Sequence, residues 1–398
     1  MSIRLSRRAA ALSASSTGVV AAASKALAGS GVDVVDFGLG EPDFPTPDFV
    51  ARAGITAIEK GRTKYTDAAG EAALRDAIVE KYRREHGSAV ARENVLVTAG
   101  AKQAVFNACQ ALFEEGDEVA IFAPYWVSFP QIVRLSGATP LFVPTDLASG
   151  WKPAATGLAG VAGPRTRGVI LNSPNNPTGA VAETPEIERL LAWCRAEDAV
   201  LIFDETYDRF LYDGRSHLSA ARFFAEHREH LVVTGAASKT YAMTGWRLGW
   251  AVGPKELVAA MANYQSHSTS NACSISQEAA RVALTEIEKS DASVSAMLAQ
   301  YTRRREAMVQ GLTAIEGVRC RLPEGAFYAF ADVSHLYRAK KLSGSAEFCR
   351  RLLAEAHVAA VPGDAFGADS CVRFSFAASL DRIAEGLKRL AAWARQPG

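Results

Sequence analysis

Lys239 stands in the run Ser238-Lys239-Thr240-Tyr241-Ala242-Met243-Thr244-Gly245-Trp246-Arg247, between two β-rich stretches, Leu231–Thr234 and Gly249–Val252. A lysine on a loop after a buried strand loses hydration or gains a cationic neighbour. Either effect lowers its pKa and frees the amine to attack a carbonyl. Arg247, in the same loop, offers a forked guanidinium suited to a phosphate. On this segment alone an exposed lysine beside a surface arginine stays equally open.

A second segment narrows the choice. Val200-Leu201-Ile202-Phe203-Asp204-Glu205-Thr206-Tyr207 ends an apolar run in two carboxylates, which puts Asp204 at the mouth of a buried strand. An ionised carboxylate there needs a cation, and a protonated pyridine nitrogen would serve. Such a ring is an electron sink, as carbanion chemistry at an amino acid requires. A Mg²⁺-binding aspartate of a nucleotide enzyme would also fit, but the chain has no GxxxxGK[ST] loop. Two further junctions follow candidate strands. Asn172-Ser173-Pro174-Asn175-Asn176-Pro177-Thr178-Gly179 is a turn whose Asn-Pro bond can be cis. Thr98-Ala99-Gly100-Ala101-Lys102-Gln103 opens a helix with small residues, which lets backbone N–H groups face an anion.

The elements that must hold these residues alternate. Candidate strands are Val95–Ala99, Glu118–Phe122, Thr139–Val143, Gly168–Leu171, Val200–Phe203, Leu231–Thr234 and Gly249–Val252. Helical patterns such as Lys102–Leu112, Pro185–Glu197 and Lys255–Gln265 lie between them. Several strands are apolar throughout, as strands covered on both faces are. This predicts an α/β fold with a mostly parallel sheet and a site at the strands' carboxyl ends. From Gln277 to Ile315 the pattern is one long charged helix, interrupted near Ser290, leading to a smaller α+β part with strands at Ala326–Phe330 and Cys371–Phe376.

Composition excludes some partners. Of the 398 residues, 48% are hydrophobic and 22% charged, and Lys+Arg at 44 nearly cancels Asp+Glu at 43. No global positive field is available for nucleic acid or an anionic membrane. Six scattered cysteines without a CxxC pair suit reduced thiols in a cytoplasmic protein better than disulfides or zinc. The start of the chain reads as an arm and then a helix, because Ser, Thr, Gly and Lys break its apolar run. No stretch approaches the roughly 20 apolar residues of a membrane span.

Taken together with Ala123-Pro124-Tyr125-Trp126, these segments resemble the class I aminotransferases of pyridoxal-phosphate (PLP) fold type I, in the bacterial aspartate aminotransferase branch. Further matching segments are Gly40-Glu41-Pro42-Asp43-Phe44, Lys64-Tyr65-Thr66, Ser268-Thr269-Ser270-Asn271, Gly325-Ala326-Phe327-Tyr328 and Val372-Arg373-Phe374-Ser375. The resemblance runs from Arg7-Arg8 to Arg373. It implies a large domain (residues 48–290) with a seven-stranded sheet between helices. A smaller domain would be split between residues 13–47 and 291–398, behind an arm of residues 1–12.

The same resemblance implies roles. Lys239 binds the cofactor, pyridoxal 5'-phosphate, covalently and moves the substrate proton; Asp204 pairs with the pyridine nitrogen. Tyr207 and Asn176 bond the phenolic oxygen, and Trp126 stacks on the ring. The phosphate is held by Gly100, Ala101, Lys102, Ser238 and Arg247, and by Tyr65 from the other subunit of a homodimer with shared active sites. Arg373 clamps the substrate α-carboxylate, with Gly40 and Asn176 beside it. In this branch a side-chain carboxylate falls to Lys102, with Ser15 and Thr17 near the N-terminus.

The expected reaction is ping-pong transfer of an amino group between an amino acid, best matched by L-aspartate, and 2-oxoglutarate. Aromatic amino acids or prephenate stay open as substrates, as do a β-lyase or decarboxylase on the same fold. The branch usually has Asn-Gly-Phe where this chain has Gly235-Ala236-Ala237, and Tyr-Pro-Glu where it has Phe129-Pro130-Gln131. Leu39 stands where a small residue is common. These departures touch the side-chain pocket and leave the cofactor chemistry alone. A transcription regulator on this fold would need a DNA-binding domain ahead of it. Roughly 40 residues precede Gly40, against about 100 or more for a separate domain. A nicotinamide dehydrogenase is disfavoured, since no GxGxxG follows a strand.

Overall fold

A computed structural model describes residues 3–6, 9, 10, 12 and 14–397. The Arg7-Arg8 pair lies outside the described residues. At the centre is a seven-stranded sheet of β2 (Val95–Thr98), β3 (Glu118–Ala123), β4 (Thr139–Pro144), β5 (Thr166–Asn172), β6 (Val200–Asp204), β7 (Leu231–Ala236) and β8 (Gly249–Val252). Their order is β2-β8-β7-β6-β5-β3-β4. All run parallel except β8, which is antiparallel to both neighbours.

Strand alternation sorts the core into two layers. Val95, Val97, Ala120, Phe122, Val169, Leu171, Leu201, Phe203, Leu231 and Val233 point into one apolar cluster. Their neighbours Leu96, Val119, Ile121, Ile170, Ile202 and Val232 point into another on the opposite face. A period-2 strand buries both faces only when helices cover both. Each such Val, Leu or Ile contributes about 1.5–3 kcal/mol. The helices Ala101–Leu112 and Lys255–Ser266 supply the second cluster, and Ala72–His86, Thr184–Ala196 and Ser274–Thr285 the first.

A second, smaller sheet has the order β12 (Val361–Pro362), β13 (Cys371–Ser375), β10 (Tyr328–Asp332), β9 (Arg319–Cys320), all antiparallel. The pair β1 (Val35–Asp36) and β11 (Val358–Ala359) is parallel and ties the N-terminal segment to this part. The helix Leu380–Arg395 packs Ile383, Leu387, Leu390 and Trp393 inward at helical spacing. Ser379 starts it by accepting from Arg382 N.

One expected break is present at a shifted position, and one expected strand needs correction. The long helical region breaks at Glu286, four residues before Ser290, into Ser274–Thr285 and Ile287–Thr313. Glu286 leaves helical geometry with ψ at 64°, and the Ser290 hydroxyl donates across the break to the Ala283 carbonyl at 2.5 Å. The strand expected at Ala326–Phe330 begins at Tyr328 instead. Ala326 has a left-handed φ of 57°, and Gly325 bridges to Leu211, so the chain turns before it extends. No helix among the described residues is long and apolar enough to cross a membrane.

Candidate active site

Five parallel strands deliver the chemistry-bearing residues to one edge of the sheet. The carboxyl end of β2 leads to Gly100–Lys102, that of β3 to Trp126, β5 to Asn176, β6 to Asp204 and Tyr207, and β7 to Ser238 and Lys239. Because β8 is reversed, its amino end lies at the same edge, which brings Arg247 there as well. All of these except Gly100 line a cleft of ≈ 380 Å³, together with Thr17, Gly40, Glu41, Thr206, Thr244, Tyr328 and Arg373.

Lys239 rises from the single helical turn Ala237–Thr240, and its Nζ donates to the Gly40 carbonyl at 2.5 Å. Burial lowers its pKa to about 8; Arg247 and Arg373 push the same way, while Glu41 and Asp204 oppose. Asp204 is buried at the end of β6. Its Oδ1 accepts from Thr206 N at 3.0 Å and Thr206 Oγ1 at 2.7 Å, and its Oδ2 has no hydrogen-bond partner among the described residues. Burial raises its pKa to about 6 despite the Thr206 bonds. A cation placed against that free oxygen would stabilise the carboxylate.

Arg373, on β13, is 1% exposed and has no carboxylate partner among the described residues. Its Nη1 donates to Asn176 Oδ1 at 3.0 Å and its Nη2 to the Gly38 carbonyl at 2.9 Å, while Nε has no partner. The guanidinium lies over the Tyr328 ring, 4.3 Å from its centroid. The Tyr328 hydroxyl is in turn 2.8 Å from that of Tyr207. A buried cation held only by neutral acceptors is incomplete, and an anion completes it.

A second anion position forms at the start of the helix Ala101–Leu112. Gln103 N finds the Gly100 carbonyl, whereas the N–H groups of Ala101 and Lys102 have no acceptor among the described residues. Arg247 bonds only carbonyls, Thr244 O at 2.9 Å and Ala99 O at 3.3 Å. Gly100 has φ at 85°, and a Cβ there would sit 2.5 Å from Arg247 Nη2. Bare backbone N–H groups, a helix start and an unpaired guanidinium match a phosphate.

The residues fit PLP on these observations: a phosphate cradle, a buried carboxylate with one free oxygen, and a desolvated amine share one cleft. Lys102 also faces the cleft, with Nζ 5.0 Å from the centre of the Trp126 ring and its pKa lowered by burial and by Arg247. Thr17 lines the wall, and Ser15 reaches it through a 2.8 Å bond between the two hydroxyls. Tyr65 stands apart, 89% exposed.

Four contributors carried no legible sign of a role. Thr206 and Tyr328 sit inside recognised segments, where only the fold reveals what they bond. Gly38 acts through its carbonyl, which no side-chain pattern reports. Thr244 lies in the lysine loop, and its contact with Glu41 crosses 203 positions of chain.

Residues 32–390 match the model of the family described as aminotransferase class I and II. The chain is 43% identical to the aspartate/prephenate aminotransferase of Thermus thermophilus over 97% of its own length and 98% of the relative's. It is 40% identical to that of Nitrosomonas europaea over 98% and 99%. A solved T. thermophilus aspartate aminotransferase with maleate superposes with a TM-score of 0.93 at 41% identity, covering 98% of this chain and all of that one. The Rhizobium meliloti aspartate aminotransferase gives 0.93 at 38%, covering 100% of both chains. A phosphate cradle, an unpaired buried arginine and a desolvated lysine in one cleft thus coincide with a full-length family match: the chain belongs to the class I and II aminotransferases and is a PLP-dependent enzyme.

Proposed function

We propose that the enzyme exchanges the amino group between L-aspartate and 2-oxoglutarate. One observation carries the dicarboxylate preference: besides Lys239 and the Arg247 cradle, the cleft holds two further cations, Arg373 and Lys102, with no carboxylate partner among the described residues. Two cations suit two carboxylates on one substrate. The names of the T. thermophilus and N. europaea relatives support the same choice and add prephenate as a second acceptor.

In this reading Arg373, with Gly40 and Asn176, orients the α-carboxylate, and Lys102 with Thr17 and Ser15 takes the side-chain carboxylate. Arg247, Ser238 and the N–H groups after Gly100 hold the cofactor phosphate. Trp126 covers the ring face, and Tyr207 and the Asn176 amide donate to the phenolic oxygen. When bound, PLP supplies a cationic ring that takes up the electron pair left as the substrate Cα–H bond breaks. Asp204 keeps the proton on the ring nitrogen. Lys239, whose pKa burial lowers to about 8 in the cofactor-free cleft, is the base that removes the Cα proton and returns it on the other side of the transfer.

The reading includes a homodimer, with Tyr65 reaching the partner's phosphate, and a cytoplasmic enzyme, in keeping with six unpaired cysteines. It divides the chain into a large domain (48–290) and a small one (13–47 with 291–398) behind an arm (1–12). The test is absorbance of the purified protein. The cofactor band should bleach with aspartate and return with 2-oxoglutarate, each half-reaction separately, as ping-pong kinetics require. Ammonia or CO₂ release at the same rate would overturn transamination, and turnover by Lys239→Ala without added amine would overturn the role of Lys239.

A further inference from the structure

Asp204 ends β6, and Tyr207 and Asp208 follow within four residues, but Asp208 faces away from the cleft. It is 8% exposed, and both its oxygens are taken. Oδ1 accepts from Thr240 Oγ1 at 2.9 Å, and Oδ2 from Lys81 Nζ at 2.8 Å. Lys81, itself 2% exposed, also donates to Glu85 at 2.8 Å. Thr240 is the residue after Lys239 and closes the same helical turn.

That turn cannot hold itself. One turn of helix has too few internal bonds to outweigh its ordering entropy. Its backbone is tied by Ala237 N to the Leu248 carbonyl at 3.2 Å and by Tyr241 N to the Ala237 carbonyl at 3.1 Å, and the Ser238 and Lys239 carbonyls accept from Met243 N at 3.0 Å and Ala242 N at 3.2 Å. The side-chain anchor is Thr240, fully inside the protein. Without it the turn keeps its backbone bonds and loses its side-chain tie to Asp208, so the Lys239 amine is less firmly placed.

We propose that Asp208 is a positioning residue: through the Thr240 hydroxyl it holds the turn carrying Lys239 in register with Asp204 and Tyr207. The proposal rests on the reading of Lys239 as the cofactor lysine. Neither Asp208, Thr240 nor Lys81 lines the cleft, so none touches substrate or cofactor. Burial opposes the Asp208 carboxylate, but Lys81, with His217 and Arg209 adding, brings its pKa to about 2. The anchor therefore stays ionised across any assay range. Lys81 makes this link independent of pH, while the turn's other bonds are to neutral backbone groups.

Thr240→Val deletes the hydroxyl and keeps the branched shape; Thr240→Ser keeps the hydroxyl. A reacting group misplaced by a fraction of an ångström costs on the order of tenfold. In Thr240→Val, kcat for aspartate should fall by about that factor while KM holds, and the cofactor-free protein should regain its visible band on adding PLP slower by a like factor. Thr240→Ser should restore both. Pairing Thr240→Val with Asp208→Asn should lose no more than the worse single change, since both act through one bond. Unchanged kcat and band recovery in Thr240→Val, no rescue by serine, or additive losses would each overturn the proposal. Borohydride fixation followed by peptide mapping separates the two readings. A label away from Lys239 sinks the lysine assignment itself; a label on Lys239 with normal Thr240→Val kinetics sinks only the anchor.

Discussion

At the scale of single residues, the site is a set of charges left incomplete by the fold. Lys239 has a folded pKa of about 8, below the ordinary 10.5, so it is protonated below that value and neutral above it. Cofactor capture needs the neutral amine. Its rate in cofactor-free protein should fall about tenfold per pH unit below 8 and level off above, and a flat profile would reject the assignment. The stability sign follows from the same depression. The cost of holding the ammonium in the fold is present at neutral pH and is relieved as pH rises from 8 toward 10.5. Arg373 tests the second incompleteness. Arg373→Lys keeps the charge and loses the fork, so kcat/KM for aspartate should drop by about 10- to 150-fold, the worth of one charge-assisted bond at roughly 1.5–3 kcal/mol. A loss under twofold would mean that the α-carboxylate binds elsewhere. Asp204 was legible because it is an expensive group closing an apolar run, whereas Lys239 stayed ambiguous in its own loop and both it and Arg373 took their roles from the family resemblance. Gly38 and Thr206 were not legible, because a carbonyl and a small hydroxyl become specific only once the chain is folded.

At the scale of elements, position comes from strand ends. The seven central strands were readable because both faces are buried and the runs are apolar. The pairs Val35–Asp36, Arg319–Cys320, Val358–Ala359 and Val361–Pro362 were not, since two residues carry no period. Strand order was equally hidden: the reversed β8 sits between β2 and β7, and only the assembled sheet shows that this brings Arg247 beside the helix start. The fit there is close. A Cβ on Gly249 would lie 2.5 Å from Ala101 N and 2.8 Å from the Gly235 carbonyl, both backbone atoms. Gly249→Ala should therefore lower stability by about 1–3 kcal/mol in urea unfolding and also weaken cofactor affinity, because the strand must back away from the phosphate cradle. Wild-type behaviour on both measures would show that the sheet can absorb the methyl group.

At the scale of the whole molecule, the proposed homodimer would bring one more residue to the cleft from a second copy. Tyr65 is 89% exposed and its hydroxyl has no hydrogen-bond partner among the described residues, which leaves it able to reach a second copy in the proposed homodimer. Tyr65→Phe should leave the sedimentation coefficient of the dimer unchanged while cofactor dissociation speeds up by about tenfold, the loss of one hydrogen bond to a charged group. A monomeric wild type, or unchanged cofactor retention in the variant, would remove Tyr65 from the shared site. The near-neutral net charge offers no broad surface to nucleic acid, while one cleft concentrates four cationic side chains, Lys102, Lys239, Arg247 and Arg373, for small anions.

The wall of that cleft has an evolutionary consequence. Its floor is built from strand ends embedded in both cores, where almost any change disturbs the fold. The wall carrying Thr17, Gly18 and Ala21 belongs to the helix Ser16–Gly29, in which Ser24 is the one buried residue. Substitutions there meet solvent on most sides and cost little stability. New substrate preferences can thus accumulate on this helix by drift, without first acquiring compensating mutations, while the amino-transfer chemistry beneath it is inherited unchanged.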